Sequence, residues 1–161
     1  MGRIDKENYY LDIAQTVAGR STCLRRCYGA ILVKSDEIIS TGYNGAPRGR
    51  RNCVDLNYCT REALNIPSGE RYELCRSVHA EANAIISAAR SEALGATLYM
   101  ACVEPDTGTL IPGSTSCSMC RRLIINAGIA RVVIRDTRTE YRVVEVADWV
   151  REDDSLPEQH K

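Results

Sequence analysis

The strongest helical signal in this chain is HAEANAIISAARSEAL, residues 79–94. It is rich in alanine, the strongest helix former, and Gly95 follows it as a typical helix end, so it predicts one continuous helix. Apolar runs rich in β-formers lie on both sides of it. YGAILV (28–33) and EIISTGY (37–43), joined by a short polar turn, predict an antiparallel hairpin, and ATLYMACV (96–103) and ARVVIRD (130–136) predict two further strands.

Two more segments have helical character. KENYYLDIAQTVAGR (6–20) repeats apolar residues at helical spacing, and SMCRRLIINAG (118–128) closes on a glycine. The resulting order is helix, strand, strand, helix, strand, helix, strand, which is typical of an α/β sheet covered by helices. We expect a single domain over residues 1–152 and a disordered C-terminal tail over 153–161, DDSLPEQHK.

Composition excludes several classes of function. The formal net charge of the 161 residues is zero, which argues against a dominant nucleic-acid-binding surface. The start MGRIDKENYY lacks the apolar core of a signal peptide. No apolar run approaches the roughly 18 residues of a membrane span. We therefore expect a cytoplasmic protein.

The chain has eight cysteines, at positions 23, 27, 53, 59, 75, 102, 117 and 120. Disulfides are rare in reducing compartments, where clustered cysteines more often bind metal or do chemistry. The metal interpretation is favoured over a disulfide framework for that reason.

One group of residues has the spacing of a catalytic zinc site. Cys117 and Cys120 are three apart at the start of a predicted helix and therefore share one helical face. His79 stands at the start of the other strong helix. Three protein ligands leave a fourth tetrahedral position open, as in catalytic zinc sites. Taken singly, the histidine is as compatible with a helix cap, and the C-x-x-C with a structural or redox pair.

Glu81 is the candidate proton carrier of this site. Zinc with two thiolates and a neutral histidine is formally neutral and should acidify water weakly, so a nearby base is useful. An ideal helix would place His79 and Glu81 on opposite faces, so the first turn must begin irregularly if both reach the site.

His79-Ala80-Glu81 with Cys117-Ser118-Met119-Cys120 resembles the cytidine deaminase superfamily. The loop TGYNGAPRG, together with HAEANAI and LIINAGI, is more narrowly similar to deoxycytidylate (dCMP) deaminases. The resemblance implies a three-layer α/β/α fold with a mixed central sheet, and hydrolysis of dCMP to dUMP and ammonia. The chain departs from the usual pattern at Ser116, where the family has proline before the first zinc cysteine.

The resemblance also implies roles for individual residues. Glu81 would move protons, and the backbone N–H of Ala80 would bind the base carbonyl. Asn44 would hold the sugar or base, and Asn83 and Arg90 would lie near the sugar and the 5′-phosphate. Without the resemblance, Arg90 is best interpreted as a solvated helix charge.

Some dCMP deaminases have a second, structural zinc. The resemblance assigns Cys23 and Cys53 to it, and Cys59 and Cys75, which flank an irregular insert, are candidates for the other two ligands. The alternative is a set of unconnected buried thiols. Cys27 and Cys102 lie in apolar strand runs and are predicted to be core residues.

The resemblance further implies regulation and assembly. Relatives can be activated by dCTP and inhibited by dTTP through the loop that holds Gly42, Tyr43 and Gly45, with Mg²⁺ accompanying the triphosphate. They form homo-oligomers, often hexamers. Three arginines follow in the same loop, at positions 48, 50 and 51.

Two alternatives remain open at this point. The first is a deaminase of another substrate: dCTP, deoxycytidine or tRNA adenosine. The second is a zinc-stabilised accessory protein of DNA uptake. The intact His-x-Glu argues against the second, because a purely structural zinc has no need of the glutamate.

Overall fold

The computed structural model describes residues 2–161, and its centre is a five-stranded mixed sheet. The strands are β1 (Cys27–Lys34), β2 (Glu37–Tyr43), β3 (Thr97–Val103), β4 (Arg131–Arg135) and β5 (Tyr141–Glu145), in the spatial order β2-β1-β3-β4-β5. β3 and β4 run parallel, and every other neighbouring pair is antiparallel.

Seven helices surround the sheet. They are α1 (Lys6–Ala18), α2 (Cys53–Leu56), α3 (Thr60–Ala63), α4 (Ala80–Ile86), α5 (Arg90–Ala93), α6 (Ser118–Ala127) and α7 (Val146–Glu152). Short 3₁₀ turns form at Tyr72–Leu74 and Glu158–His160. No helix within residues 2–161 combines the length and the apolar character needed to cross a membrane.

The alternation of side chains along β1 separates two apolar cores. Ile31 and Val33 pack toward α1, whereas Ala30 and Leu32 pack toward the layer that contains α4, α5 and α6. Gly29 allows α1 to approach β1 closely, because a Cβ there would lie 2.0 Å from the Ala14 carbonyl oxygen. The predicted three-layer α/β/α architecture is therefore confirmed, as are the hairpin and the burial of Cys27 and Cys102.

The prediction of one continuous helix over residues 79–94 is wrong. The helix breaks after Ile86: Ser87 caps α4, and Ala89 takes an extended backbone, with ψ of 145°, before α5 begins at Arg90. Alanine propensity alone is a weak constraint that the tertiary structure overrides here. The break matters for function because His79 and Arg90 stand at the starts of two separate helices rather than on one continuous helix.

Two elements, β5 and α7, were not predicted from the sequence. β5 closes one edge of the sheet against β4, and Val146 of α7 joins the core beneath it. No residue of β5 is fully buried, and its sequence YRVVE lacks the apolar run by which the other strands are detected. Beyond α7, Asp154 accepts a hydrogen bond from Arg121, 2.7 Å away. The expected single domain and disordered tail stay predictions.

Candidate active site

The beginnings of two helices position the candidate metal ligands. His79 is the N-cap of α4 and Cys117 is the N-cap of α6, and both have extended backbone, with ψ of 156° and 166°. Because His79 stands just outside the helix, helical geometry does not place its side chain on the face opposite Glu81. Both residues line one cavity. This is the irregular start that the sequence required.

His79, Cys117 and Cys120 form the only group of three or more possible metal ligands found within residues 2–161. The Nδ1 atom of His79 lies 3.5 Å from the Sγ atom of Cys117 and 3.5 Å from that of Cys120. Tetrahedral zinc bonds of about 2.3 Å to sulfur and about 2.0 Å to nitrogen imply a nitrogen–sulfur separation of roughly 3.5 Å. Two thiolates and an imidazole at this spacing fit zinc.

Without a metal, hydrogen bonds among the three ligand side chains shift their pKa values. The pKa of Cys117 is lowered to about 4, mainly because the Cys120 thiol donates to it and His79 lies beside it. The pKa of Cys120 is raised by the same pairing. The pKa of His79 is raised to about 10, first by Cys117 and then by Cys75. Metal binding therefore has to displace protons, as expected for a thiolate–imidazole site.

Glu81 is a buried carboxyl on the cavity, with 3% of its surface exposed. Its pKa is raised by desolvation, while its own backbone, His79 and the Ser116 hydroxyl act in the opposite direction. Ser116 is itself buried, and its carbonyl oxygen accepts a hydrogen bond of 3.1 Å from Arg121. The residue that departs from the family pattern thus holds an ordered position beside the carboxyl.

The arrangement suits hydrolysis. Zinc, when bound by His79, Cys117 and Cys120, supplies Lewis acidity that makes water a better nucleophile. Glu81 can take a proton from water and hand it to a departing group in the same cavity. A carboxyl with a raised pKa is suited to both halves of that transfer, because it can accept a proton at neutral pH and can also release it.

The cavity has a volume of about 410 Å³. One wall is the insert that the sequence left irregular. Arg61 is 6% exposed, and its guanidinium donates to the carbonyl oxygens of Pro67 (2.7 Å) and Glu70 (2.8 Å). The same guanidinium stacks 4.2 Å from the Tyr72 ring centroid, and Tyr72 meets the His79 ring edge-on at 5.5 Å. The insert therefore supports a metal ligand.

Of the predicted substrate-binding residues, Asn44 and Ala80 are at or beside the site. Asn44 lines the cavity and is buried. Its Oδ1 accepts from the Tyr28 backbone N–H (2.9 Å), and its Nδ2 donates to the Arg26 carbonyl (2.9 Å). Ala80 is buried at the first turn of α4, between His79 and Glu81.

The structure does not bring Asn83 and Arg90 to the cavity. Asn83 donates to the Tyr43 carbonyl oxygen, 2.8 Å away, and ties α4 to the end of β2. Arg90 donates to the Asn126 carbonyl, 2.9 Å away, at the end of α6. Both roles were implied by the resemblance and stay predictions. The break before α5 changes the placement of Arg90 but not that of Asn83, which lies within α4.

Among the predicted effector residues, Gly42 has a packing role. A Cβ on Gly42 would lie 2.4 Å from both the Ala80 carbonyl oxygen and the Ala84 backbone nitrogen, so only glycine fits between β2 and α4. Gly45 forms a two-way backbone bridge with Val78. Tyr43 is partly exposed. None of the three lines the cavity.

The four cysteines assigned to a second zinc do not form a ligand group in the structure. Cys23, Cys59 and Cys75 line the cavity, whereas Cys53 is buried at the start of α2, where its sulfur accepts from Arg76 at 3.7 Å. The Cys75 thiol lies against His79, which lowers the pKa of Cys75 despite its burial. The four sulfurs therefore make separate contacts in this structure, and the second, structural zinc stays a prediction.

Sequence reasoning missed Arg26, Arg61, Tyr72 and Ser116 as residues of this site. Arg61 and Tyr72 belong to an insert without periodicity, so nothing local indicates that they reach His79. Their one signal was the pair of cysteines, Cys59 and Cys75, that flanks the insert.

Comparison with known proteins agrees with the geometry. Residues 4–136 match the family described as the cytidine and deoxycytidylate deaminase zinc-binding region. The deoxycytidylate deaminase of Mycobacterium phage D29 is 39% identical over 83% of this chain and 96% of its own length. That of Schizosaccharomyces pombe is 35% identical over 79% of this chain, but the match covers only 36% of the yeast protein.

A solved structure shares the fold. The dCMP deaminase of cyanophage S-TIM5, in complex with dCMP and dUMP, superimposes with a TM-score of 0.57, at 23% identity, over 93% of this chain and 94% of its own. The family match and the phage relative together cover most of the chain, including both helix starts of the site. The chain belongs to the cytidine and deoxycytidylate deaminase family of zinc-dependent enzymes.

Proposed function

We propose that this protein hydrolyses dCMP to dUMP and ammonia. The observation that carries the proposal is the group His79, Cys117 and Cys120 beside the buried carboxyl of Glu81, in one cavity. The phage D29 relative supports the choice of substrate, because the match spans nearly its whole length and it is named a deoxycytidylate deaminase.

The residues can perform each part of this reaction. Water oxygen bonds to C4 of cytosine, the bond from C4 to the amino nitrogen breaks, and ammonia leaves. Glu81 receives the two protons of the water in turn and delivers one to the ring nitrogen N3 and the other to the departing amino nitrogen, so protons balance without a further base. A structural or DNA-uptake protein would have no use for a carboxyl buried beside the metal ligands, which disfavours that alternative.

The test is a panel of ammonia-release measurements. Purified protein is supplied with dCMP, dCTP, deoxycytidine and a tRNA substrate at equal concentrations. We expect dCMP to be the best substrate, and we expect a strong chelator followed by zinc to abolish and then restore the activity. Faster turnover of any other compound would reassign the substrate, and no turnover of any would contradict the proposal.

We also propose that zinc is the resident metal, held by His79, Cys117 and Cys120. The spacing of the described residues supports one ion per chain. Metal analysis of the purified protein and of Cys117→Ser tests this, because the substitution should remove that ion. Any zinc that remains in the variant would be bound by the cysteines at 23, 53, 59 and 75 and would support the predicted second, structural site.

Regulation and assembly are proposals that rest on the resemblance alone. They comprise activation by dCTP, inhibition by dTTP, a magnesium ion with the triphosphate, and a homo-oligomer such as a hexamer. Rates measured with each triphosphate, with and without Mg²⁺, test the first three. Light scattering of the purified protein tests the last.

A further inference from the structure

Positive charge is concentrated at the cavity. Arg25, Arg26 and Arg61 all line it, and the only carboxylate in its lining is that of Glu81, at the metal group. The chain as a whole has a net charge of zero, so this excess is local. Such a cavity favours an anionic ligand.

Two of these three arginines already have partners. The Arg61 guanidinium is buried and donates to the Pro67 and Glu70 carbonyl oxygens. Arg25 forms an ion pair with Glu62, at 3.1 Å. Neither has its charged head available to a ligand without breaking these contacts.

Arg26 differs from both. It is exposed, and within residues 2–161 it has no ion pair shorter than 4.0 Å. Its guanidinium lies beside the Tyr28 hydroxyl, which raises the pKa of Arg26, and Glu104 acts on it only weakly. Its backbone is held in place, because its carbonyl accepts from Asn44 Nδ2 at 2.9 Å and Asn44 Oδ1 accepts from the Tyr28 N–H.

We propose that Arg26 binds the 5′-phosphate of the substrate and so selects nucleoside monophosphates over nucleosides. The guanidinium fork matches a phosphate by two parallel hydrogen bonds, and a fixed backbone limits the entropy lost on binding. Asn44 acts through Arg26 as a positioning residue. Arg26 takes the role that the resemblance implied for Arg90, and the inference rests on the proposed function.

The experiment measures selectivity, defined as kcat/KM for dCMP divided by kcat/KM for deoxycytidine. Arg26→Ala should lower this ratio by about 10- to 100-fold, the usual effect of removing a hydrogen bond to a charged group. Arg26→Lys keeps the charge without the fork and should lower it less. Arg90→Ala is the matched control, because Arg90 lies outside the cavity, and we expect it to leave the ratio within about 3-fold of the wild-type value.

A binding measurement separates this inference from the proposed activity. Calorimetry with dUMP and deoxyuridine reports the phosphate preference without turnover, and the preference should be lost in Arg26→Ala. Equal wild-type affinity for the two products, an unchanged preference in Arg26→Ala, or loss in Arg90→Ala instead would overturn the role of Arg26. Inactivity of the wild-type protein toward dCMP would contradict the proposed function, while the product affinities would still decide the role of Arg26.

Discussion

At the scale of single residues, Glu81 shows how burial turns an ordinary carboxyl into a proton carrier. Desolvation raises its pKa, and this effect outweighs the opposite influence of its own backbone, His79 and Ser116. The side chain lines the same cavity as the metal ligands. A glutamate on an exposed helix face would remain ionised at neutral pH and would return a proton poorly.

Glu81→Gln tests this role directly. Glutamine keeps the volume and hydrogen-bonding capacity but cannot carry a proton, so kcat should fall by about 10² to 10⁴-fold. Zinc content should equal that of the wild-type protein, because Glu81 is not among the grouped ligands. Glu92→Gln, an exposed acid in α5, is the control and should keep full activity. A Gln variant with wild-type turnover would remove Glu81 from the mechanism.

The motif residues could be predicted from the sequence because their spacing is local. Cys117 and Cys120 are three residues apart, and His79 and Glu81 are two apart. Arg26 lies far from both motifs along the chain, and Tyr72, although close to His79 in sequence, belongs to an insert without periodicity. The two reach the cavity only through the sheet and the insert. No short-range pattern marks such residues, so the structure was needed to find them.

At the scale of elements, the contact between β2 and α4 positions the site. Ser40 of β2 donates to the Ala84 carbonyl (2.6 Å), and Gly42 lies against the backbone of Ala80 and Ala84. The first turn of α4 follows His79 and contains Glu81. The position of β2 therefore fixes the direction in which the catalytic carboxyl enters the cavity.

Gly42→Ala should disturb both stability and catalysis. The added Cβ would meet two backbone atoms at 2.4 Å, and backbone cannot rotate away as a side chain can. We expect a loss of about 1–3 kcal/mol in the free energy of unfolding, which is typical of overpacking, with reduced kcat. Urea denaturation and basal rates without effectors measure the two effects.

Gly2→Ala is the control for this substitution, because its Cβ would meet nothing within 4 Å. If Gly42 instead served only an effector, Gly42→Ala would keep wild-type stability and basal rate and would lose only the response to triphosphates. That result would contradict the packing role and would support the role implied by the resemblance.

The same scale explains why one element was predicted wrongly. Residues 79–94 are uniformly good helix formers, and propensity cannot show where a helix must stop to fit its neighbours. The hairpin was easier to predict from the sequence, because side chains along a strand alternate between the two faces of the sheet. Ile31 and Leu32 accordingly face opposite cores. Residues that pack on a sheet leave a signal in the sequence, whereas breaks between exposed turns do not.

At the scale of the whole molecule, a hydrogen bond and an ion pair join α1 to the turn of the β1–β2 hairpin. The Tyr10 hydroxyl donates to Asp36 Oδ1 at 2.5 Å, and Lys6 pairs with the same carboxylate at 3.1 Å. Tyr10 is buried against Tyr99, at 5.0 Å between ring centroids. The contact therefore connects the outer layer, the hairpin turn and the core.

The pH dependence of stability should reveal this contact. Asp36, through its hydrogen bond and charge, raises the pKa of Tyr10 to about 12, so this stabilisation is complete below pH 10.0 and is lost as pH rises through about 12. Tyr10, and next Lys6, lower the pKa of Asp36 from 3.8, so the contribution of Asp36 is present above 3.8 and is lost as pH falls further.

Tyr10→Phe keeps the ring and removes the donor. It should lower the melting temperature at pH 7, and its difference from the wild-type protein should shrink at both ends of this range, as Asp36 gains a proton or Tyr10 loses one. Melting curves from about pH 2 to about pH 12 measure it, with Tyr9→Phe as the exposed control. A difference that stays constant down to low pH would show that the hydrogen bond to Asp36 does not link α1 to the hairpin energetically, and that the packing of the Tyr10 ring on Tyr99 alone holds the layer in place.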